Sequence, residues 1–261
     1  MDSKTIDKLG DELFEAWRTR TAIGQLTQEY PAMTVEEAYG VQQRTIARRR
    51  QSGVRVVGKK IGLTSKVVQK MLDVDQPDFG YLLSDMAYGE EEAIPIANMI
   101  APKVEGEIAF VLNSTLQGPG VTNADVLRAT AFVMPCFEIV DSRIRDWKIR
   151  IQDTVADNAS AGAFVLGDRA IDPRSVDLSL CGMLLEKNGE ILTTGAGAAA
   201  LGSPVNAVAW LANTLGRLGI ALEANEVILS GSLAAMLPAQ AGDNFRCAIG
   251  GIGTVTTRLF D

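Results

Sequence analysis

Glu105 and Glu107 stand two residues apart in Val104-Glu-Gly-Glu-Ile-Ala-Phe-Val-Leu112, a run whose β-branched and aromatic residues read as a strand. Side chains alternate along a strand, so both carboxylates project from one face. A third acid, Glu138, lies in the apolar run Phe132-Val-Met-Pro-Cys-Phe-Glu-Ile-Val140 with no polar residue beside it. An ionised carboxylate there is costly unless a cation compensates it, and neighbouring carboxylates only raise that cost. If the two runs pair, three carboxylates converge and leave coordination positions for water and a chelating substrate. The chain contains no histidine. The expected cation is therefore hard and oxygen-bound, Mg²⁺ or Mn²⁺ in preference to Zn²⁺.

Without histidine, Ser-His-Asp triads, Cys-His pairs, His-ligated zinc and imidazole acid-base chemistry are excluded within one chain. Proton transfer falls to Asp, Glu, Lys, Tyr or water. Gly58-Lys-Lys-Ile-Gly-Leu-Thr-Ser65 sets Lys59 and Lys60 on opposite faces at a strand end. One is expected to point inward, to hold a substrate carboxylate or move a proton, and its neighbour to be solvated. Gln76-Pro-Asp-Phe-Gly80 reads as a turn carrying Asp78. Loops hung from a sheet collect functional groups, and the polar stretch after Glu138 offers Asp157 and Ser160. Ser230-Gly231-Ser232 is a strand-end turn able to line a pocket. Gly195-Ala-Gly superficially matches a dinucleotide fingerprint, but an Asn-Gly hairpin precedes it and Pro204 interrupts the helix it would need.

These groups need a scaffold. Apolar residues at helical spacing, Ile6, Leu9, Leu13 and Trp17, predict an amphipathic first helix. Thr34-Val-Glu-Glu37 is a capping box opening a second helix, which ends on Arg48-Arg-Arg50, a solvated last turn before Gly53. Strands are expected at 54–61, 104–112, 132–140, 162–166, 181–187, 190–194, 226–229, 244–249 and 253–259. Asn188-Gly189 signals a hairpin, and helices are expected after Asn123 and from Pro204 to Gly216. The reading is an α+β fold with a helical segment at 1–53 and a mixed β-sheet catalytic domain, a roll or sandwich, at 54–261.

A net charge of -7 without a basic tract argues against nucleic acid and for a small substrate. Cys136, Cys181 and Cys247 are widely spaced in apolar surroundings, as reduced core thiols are. No signal sequence or apolar run of membrane-spanning length is present, so a cytoplasmic protein with no membrane partner is expected.

Lys60-Ile-Gly-Leu-Thr64, Val74-Asp-Gln-Pro-Asp-Phe-Gly80, Glu105-Gly-Glu-Ile-Ala109, Glu138-Ile-Val-Asp-Ser-Arg143, Asp153-Thr-Val-Ala-Asp-Asn-Ala-Ser160 and Gly195-Ala-Gly through Gly202 resemble the 2-hydroxypenta-2,4-dienoate (2-oxopent-4-enoate) hydratases of aromatic meta-cleavage pathways. The resemblance covers nearly the whole chain and implies the fumarylacetoacetate-hydrolase-like fold, with Glu105, Glu107 and Glu138 holding Mg²⁺ or Mn²⁺. It implies hydration of the dienoate to 4-hydroxy-2-oxopentanoate, with Lys60 and Asp78 in the proton transfers, Asp157 and Ser160 orienting substrate or water, and Gly231 and Ser232 at the substrate. Related 4-oxalocrotonate decarboxylases share the metal motif, and decarboxylation of 2-oxohex-3-enedioate is the alternative activity. A structural partner of such a decarboxylase is the non-enzymatic alternative. Gln76-Pro-Asp-Phe-Gly80 and Ser160-Ala-Gly-Ala-Phe164 favour the hydratase, although Ala161 stands where hydratases commonly carry Cys.

The apolar stripe of the first helix must be covered, by the sheet or by another subunit. The resemblance implies a homo-oligomer and a possible complex with the decarboxylase. Analytical ultracentrifugation at micromolar concentration should give a mass well above the 27.9 kDa of one chain; a sharp monomer would defeat this expectation.

Overall fold

The computed structural model describes residues 1–71 and 74–261. Three helices form the N-terminal segment. Asp2 caps α1 (Ser3–Thr19) by accepting from Thr5 N, and α3 (Val35–Gln51) opens with a complete Thr34–Glu37 capping box. The single turn α2 (Leu26–Glu29) lies between them. The stripe of α1 is covered within the chain: Leu9 and Leu13 share a cluster with Ala38 and Val41 of α3 and with Ile144, Val155 and Ala156.

The last turn of α3 departs from the expected solvated triplet. Arg50 is exposed, but Arg49 is 4% exposed, with Nη2 2.6 Å from Asp85 Oδ2 and its guanidinium 3.6 Å from the Trp17 ring centre. It sits on the side of α3 that packs toward α1, where stacking and an ion pair replace water.

The strands are β1 (Val56–Gly62), β2 (Asp78–Leu83), β3 (Ala87–Tyr88), β4 (Ile94–Pro95), β5 (Pro102–Leu112), β6 (Thr130–Asp141), β7 (Ala161–Leu166), β8 (Gly182–Lys187), β9 (Glu190–Ala196), β10 (Val227–Leu229), β11 (Leu237–Pro238), β12 (Asn244–Ile249) and β13 (Gly253–Phe260). Helices α4 (Lys66–Met71), α5 (Asn123–Ala129), α6 (Ile151–Ala156) and α7 (Pro204–Gly216) interleave with them. An eight-stranded sheet runs β2-β1-β10-β5-β6-β7-β3, with β11 also on β5, and a five-stranded sheet runs β4-β13-β12-β8-β9. The two share one core, in which Phe137 of β6 meets Phe245 of β12 edge-on at 6.4 Å. This is the expected α+β arrangement of two mixed sheets. Asn188 and Gly189, both at positive φ, turn β8 into β9 as the Asn-Gly pair predicts. All three cysteines are free and buried. Among the described residues no helix is long and apolar enough to cross a membrane.

The stretch around Asp78 is a second departure. Asp78 is not in a turn; it begins β2, and all six residues of that strand are buried. Its Pro-Asp-Gly punctuation suggested a turn, but tertiary partners occupy the edge of β2 that β1 leaves free. Gln42 of α3, itself 0% exposed, donates from Nε2 to Phe79 O and Val155 O, both at 2.9 Å. Replacing Gln42 with Met removes both donors and leaves buried carbonyls unpaired, which costs about 1–3 kcal/mol. Urea denaturation should show the midpoint falling accordingly; an unchanged midpoint would mean water serves those carbonyls equally well.

Candidate active site

The carboxylates converge because β5 and β6 pair antiparallel with Glu105 directly opposite Glu138, and Glu107 two residues further on. One oxygen from each of the three lies within 4.8 Å of the other two. Glu107 and Glu138 are 0% exposed, whereas Glu105 opens onto a cavity. Glu107 Oε2 accepts from Gly231 N–H at 2.8 Å, but Glu107 Oε1 and both Glu138 oxygens accept no hydrogen bond. Burial, reinforced by the charges of Glu138 and Glu105, pushes the Glu107 carboxyl well above its ordinary range. Burial likewise raises Glu138, to about 7, against the pull of Lys60. Glu105 is raised by burial too, again opposed by Lys60. Three mutually repelling carboxylates, two of them fully buried with oxygens that accept no hydrogen bond, fit a divalent cation, and an all-oxygen donor set suits Mg²⁺ or Mn²⁺.

Lys60 reaches this cluster across β10 from the end of β1. Strand β10 separates β1 from β5, with Lys60 opposite Leu229 and Leu229 opposite Ala109. Lys60 Nζ lies 3.2 Å from Glu138 Oε1. Burial disfavours the ammonium, but Glu138, Asp78, Glu105 and Glu107 outweigh burial and hold its pKa above the usual lysine value. Lys59 is not solvated as expected. It is equally buried on the opposite face, where Nζ pairs with Glu226 Oε1 at 2.6 Å. A sheet covered on both faces has no solvated side to offer it.

Asp78 lies opposite Gly62 in the β1–β2 pair. A β-carbon at Gly62 would collide with Asp78 Oδ1 and stand 3.3 Å from Lys60 Nζ. The missing side chain is what lets Asp78 and Lys60 share one small space. Asp78 is 2% exposed with Oδ1 unpartnered, and burial raises its pKa against the counter-pull of Lys60.

Ser160 arrives by a strained route. Asn158, Ala159 and Ser160 all have positive φ, between 49° and 55°, which L-residues adopt only when their surroundings demand it. Two clamps impose it. Asn158 imitates a strand residue at the edge of β2, accepting from Tyr81 N at 2.8 Å and donating to Tyr81 O at 2.9 Å. Arg143 holds Asp157, with Nε 2.5 Å from Oδ1 and its backbone N–H 2.9 Å from Oδ2. Ser160 Oγ is left buried and unpartnered.

Lys60, Asp78, Glu105, Thr154, Ser160 and Ser232 line one cavity of about 590 Å³, whose apolar walls include Leu63, Val140, Trp147, Ile149 and Met236. Lys103, two residues before Glu105 on β5, is its other cation and lies 4.1 Å over the Trp147 ring. Asp157 does not line this cavity; its carboxylate is committed to Arg143, and burial against that partner raises it to about 6. Gly231 contributes its N–H to Glu107 and lines no part of the cavity, and its φ of 97° with Thr64 packed against it admits no side chain. Ser232 reaches the cavity but donates to Ala234 O at 2.6 Å.

The model of the fumarylacetoacetate (FAA) hydrolase C-terminal region matches residues 50–260. The chain belongs to the fumarylacetoacetate hydrolase family. Within it, a 2-hydroxypent-2,4-dienoate hydratase from Pseudomonas putida is 63% identical over 85% of this chain and 100% of its own length. A 2-hydroxyhexa-2,4-dienoate hydratase from Comamonas testosteroni is 55% identical over 99% of this chain and 98% of its own. The solved 4-oxalocrotonate decarboxylase from Pseudomonas putida G7, complexed with magnesium and adipate, superposes with a TM-score of 0.96 at 35% identity, covering 100% of this chain and 99% of that one.

Sequence reasoning passed over four residues that build this fumarylacetoacetate hydrolase family site: Gly62, Lys103, Arg143 and Asn158. Arg143 reads as an outer charge, yet it is 5% exposed. The available signal was its place in the same polar stretch as Asp157, fourteen residues before it, inside an otherwise apolar region. Substituting Gly62 with Ala should separate Asp78 from Lys60 and lower turnover by about 100-fold with little change in circular dichroism. Near-normal turnover would show that their approach is dispensable.

Proposed function

We propose that this chain is a hydro-lyase that converts 2-hydroxypenta-2,4-dienoate into 4-hydroxy-2-oxopentanoate. The carrying observation is the Glu105–Glu107–Glu138 cluster, with buried oxygens of Glu107 and Glu138 left without a hydrogen bond, whose Glu105 shares one cavity with Lys60 and Asp78. The substrate class follows from relatives named as dienoate hydratases at 55–63% identity. The three glutamates would hold Mg²⁺ or Mn²⁺, which when bound supplies Lewis acidity toward the C1 carboxylate and C2 oxygen of the substrate.

The chain's own groups manage protons and position. Loss of the 2-hydroxyl proton and gain of one at C5 turn the dienol into an α,β-unsaturated ketone, to which water adds at C4. Asp78, with its unpartnered Oδ1, is the acceptor, and Lys60, kept as an ammonium by its carboxylate neighbours, is the donor beside it. Ser160 Oγ orients substrate or water, and Asp157 positions Ser160 through Arg143 and the left-handed turn rather than by contact. In this reading the enzyme is a cytoplasmic homo-oligomer able to associate with a decarboxylase of its own family.

Decarboxylation of 2-oxohex-3-enedioate is the second reading, and two observations favour it. The solved decarboxylase shares the fold at a TM-score of 0.96, and Lys103 gives the cavity a cation that a second carboxylate could meet. The higher identity of the hydratases outweighs both.

Glu107→Gln should abolish hydration while leaving the thermal melt in place, and exhaustive chelation should do the same to the wild type. Full turnover in either case would remove the metal-dependent reading. Supplying the dicarboxylate and the dienol separately while following CO₂ should show hydration of the dienol with little CO₂ release. CO₂ without hydration would install the decarboxylase instead.

A further inference from the structure

A second cavity of about 230 Å³ lies apart from the carboxylate cluster, between the C-terminal ends of α1 and α3 and strands β6 and β7. Arg20, Arg49 and Arg143 line it, with Asp85 and Asp141 as the acidic residues on its wall. The hydrogen bonding of these five groups is unequal. Arg143 directs its donors inward, to Asp157 Oδ1 and O and to the carbonyls of Asp141 and Ala161. Asp141 is also occupied, accepting from Ala101 N at 2.7 Å and Ile100 N at 3.0 Å. Asp85 takes Arg49 Nη2 at 2.6 Å.

Arg20 Nε and Arg49 Nε remain buried without an acceptor, although Arg49 is only 4% exposed. A buried guanidinium N–H without a partner calls for one. Trp17 holds both groups in place, with the Arg49 and Arg20 guanidinium carbons 3.6 Å and 5.1 Å from its ring centre. Stacking covers the face of each guanidinium, Trp17 O accepts from Arg20 Nη1 and Asp85 from Arg49 Nη2, so the Nε–H is the buried donor each has left for a charge-assisted contact to an oxyanion.

We propose that this cavity binds a small oxyanion, a carboxylate or a phosphate, on the Nε–H groups of Arg20 and Arg49. Its volume suits a phosphate or a short acid and is smaller than the pockets that take drug-sized ligands. The occupant would join the end of α1 to the end of α3, so its binding is read in the stability of the whole chain.

Thermal unfolding of the full chain is followed with phosphate, pyruvate or chloride at matched ionic strength. A saturable rise in Tm of about 2–4 °C is expected for phosphate or pyruvate at ten times its Kd, and none for chloride. The stronger of the two responses identifies the source of the oxyanion. The rise should persist in Glu107→Gln, which disables the catalytic cluster, and vanish in Arg20→Gln, which keeps wild-type turnover. If Arg20→Gln does not fold, arginine Nε–H resonances of the wild type take its place, and phosphate should shift those of Arg20 and Arg49. No saturable rise, an equal rise in Arg20→Gln, its loss in Glu107→Gln, or unmoved Nε–H resonances would overturn the proposal.

Discussion

Mutual repulsion among buried carboxylates is the constraint around which this molecule is organised. Glu105, Glu107 and Glu138 approach within 4.8 Å of one another inside a sheet that water does not reach freely. Such a cluster is tolerable only when positive charge is brought to it, and the fold brings some of its own: Lys60 beside Glu138 and the Gly231 N–H on Glu107. Neither claims Glu107 Oε1 or makes a hydrogen bond to Glu138. The polypeptide thus supplies part of the compensation and leaves oxygens that a divalent cation could take.

That arrangement depends on strand order more than on strand content. The three-residue β10 lets β1 run parallel beside it and deliver Lys60, then ends so that the chain can turn at Gly231 over Glu107. At the outer edge β2 delivers Asp78 across Gly62, where a side chain would collide with its carboxylate. Lys60, Asp78, the Glu105–Glu107 pair and Glu138 therefore ride on four different strands, β1, β2, β5 and β6, and the sheet fixes their separations as loops could not.

The N-terminal helices serve the same site at one remove. Through Gln42, α3 binds the outer edge of β2, and the cluster around Leu9 and Val41 seats Val155 and Ala156 next to Asp157. Arg143 and Asn158 then hold three residues in the left-handed region, at a cost of about 1–2 kcal/mol per residue that the surrounding hydrogen bonds offset. Ser160 is aimed into the cavity by this strained turn, so its placement belongs to the helices and β2 together.

From residues alone came the α+β class, most strands, the capping box at Thr34, the hairpin at Asn188 and the carboxylate trio. These rest on local rules: side-chain alternation, turn chemistry, and the cost of charge in an apolar run. What local rules could not decide was which neighbour each segment would meet. Pro77 and Gly80 argued for a turn at Asp78 until Gln42 and Asn158 supplied partners for a strand edge. Arg49 and Lys59 looked solvated because a sequence does not show the Trp17 ring or the Glu226 carboxylate that replaces their water. Asp157 looked free to meet substrate because its pairing with Arg143, close in sequence, depends on the turn between them. Chemistry set by residue type and spacing was legible in the chain; burial and partnership were not, because they depend on strand order and long-range packing.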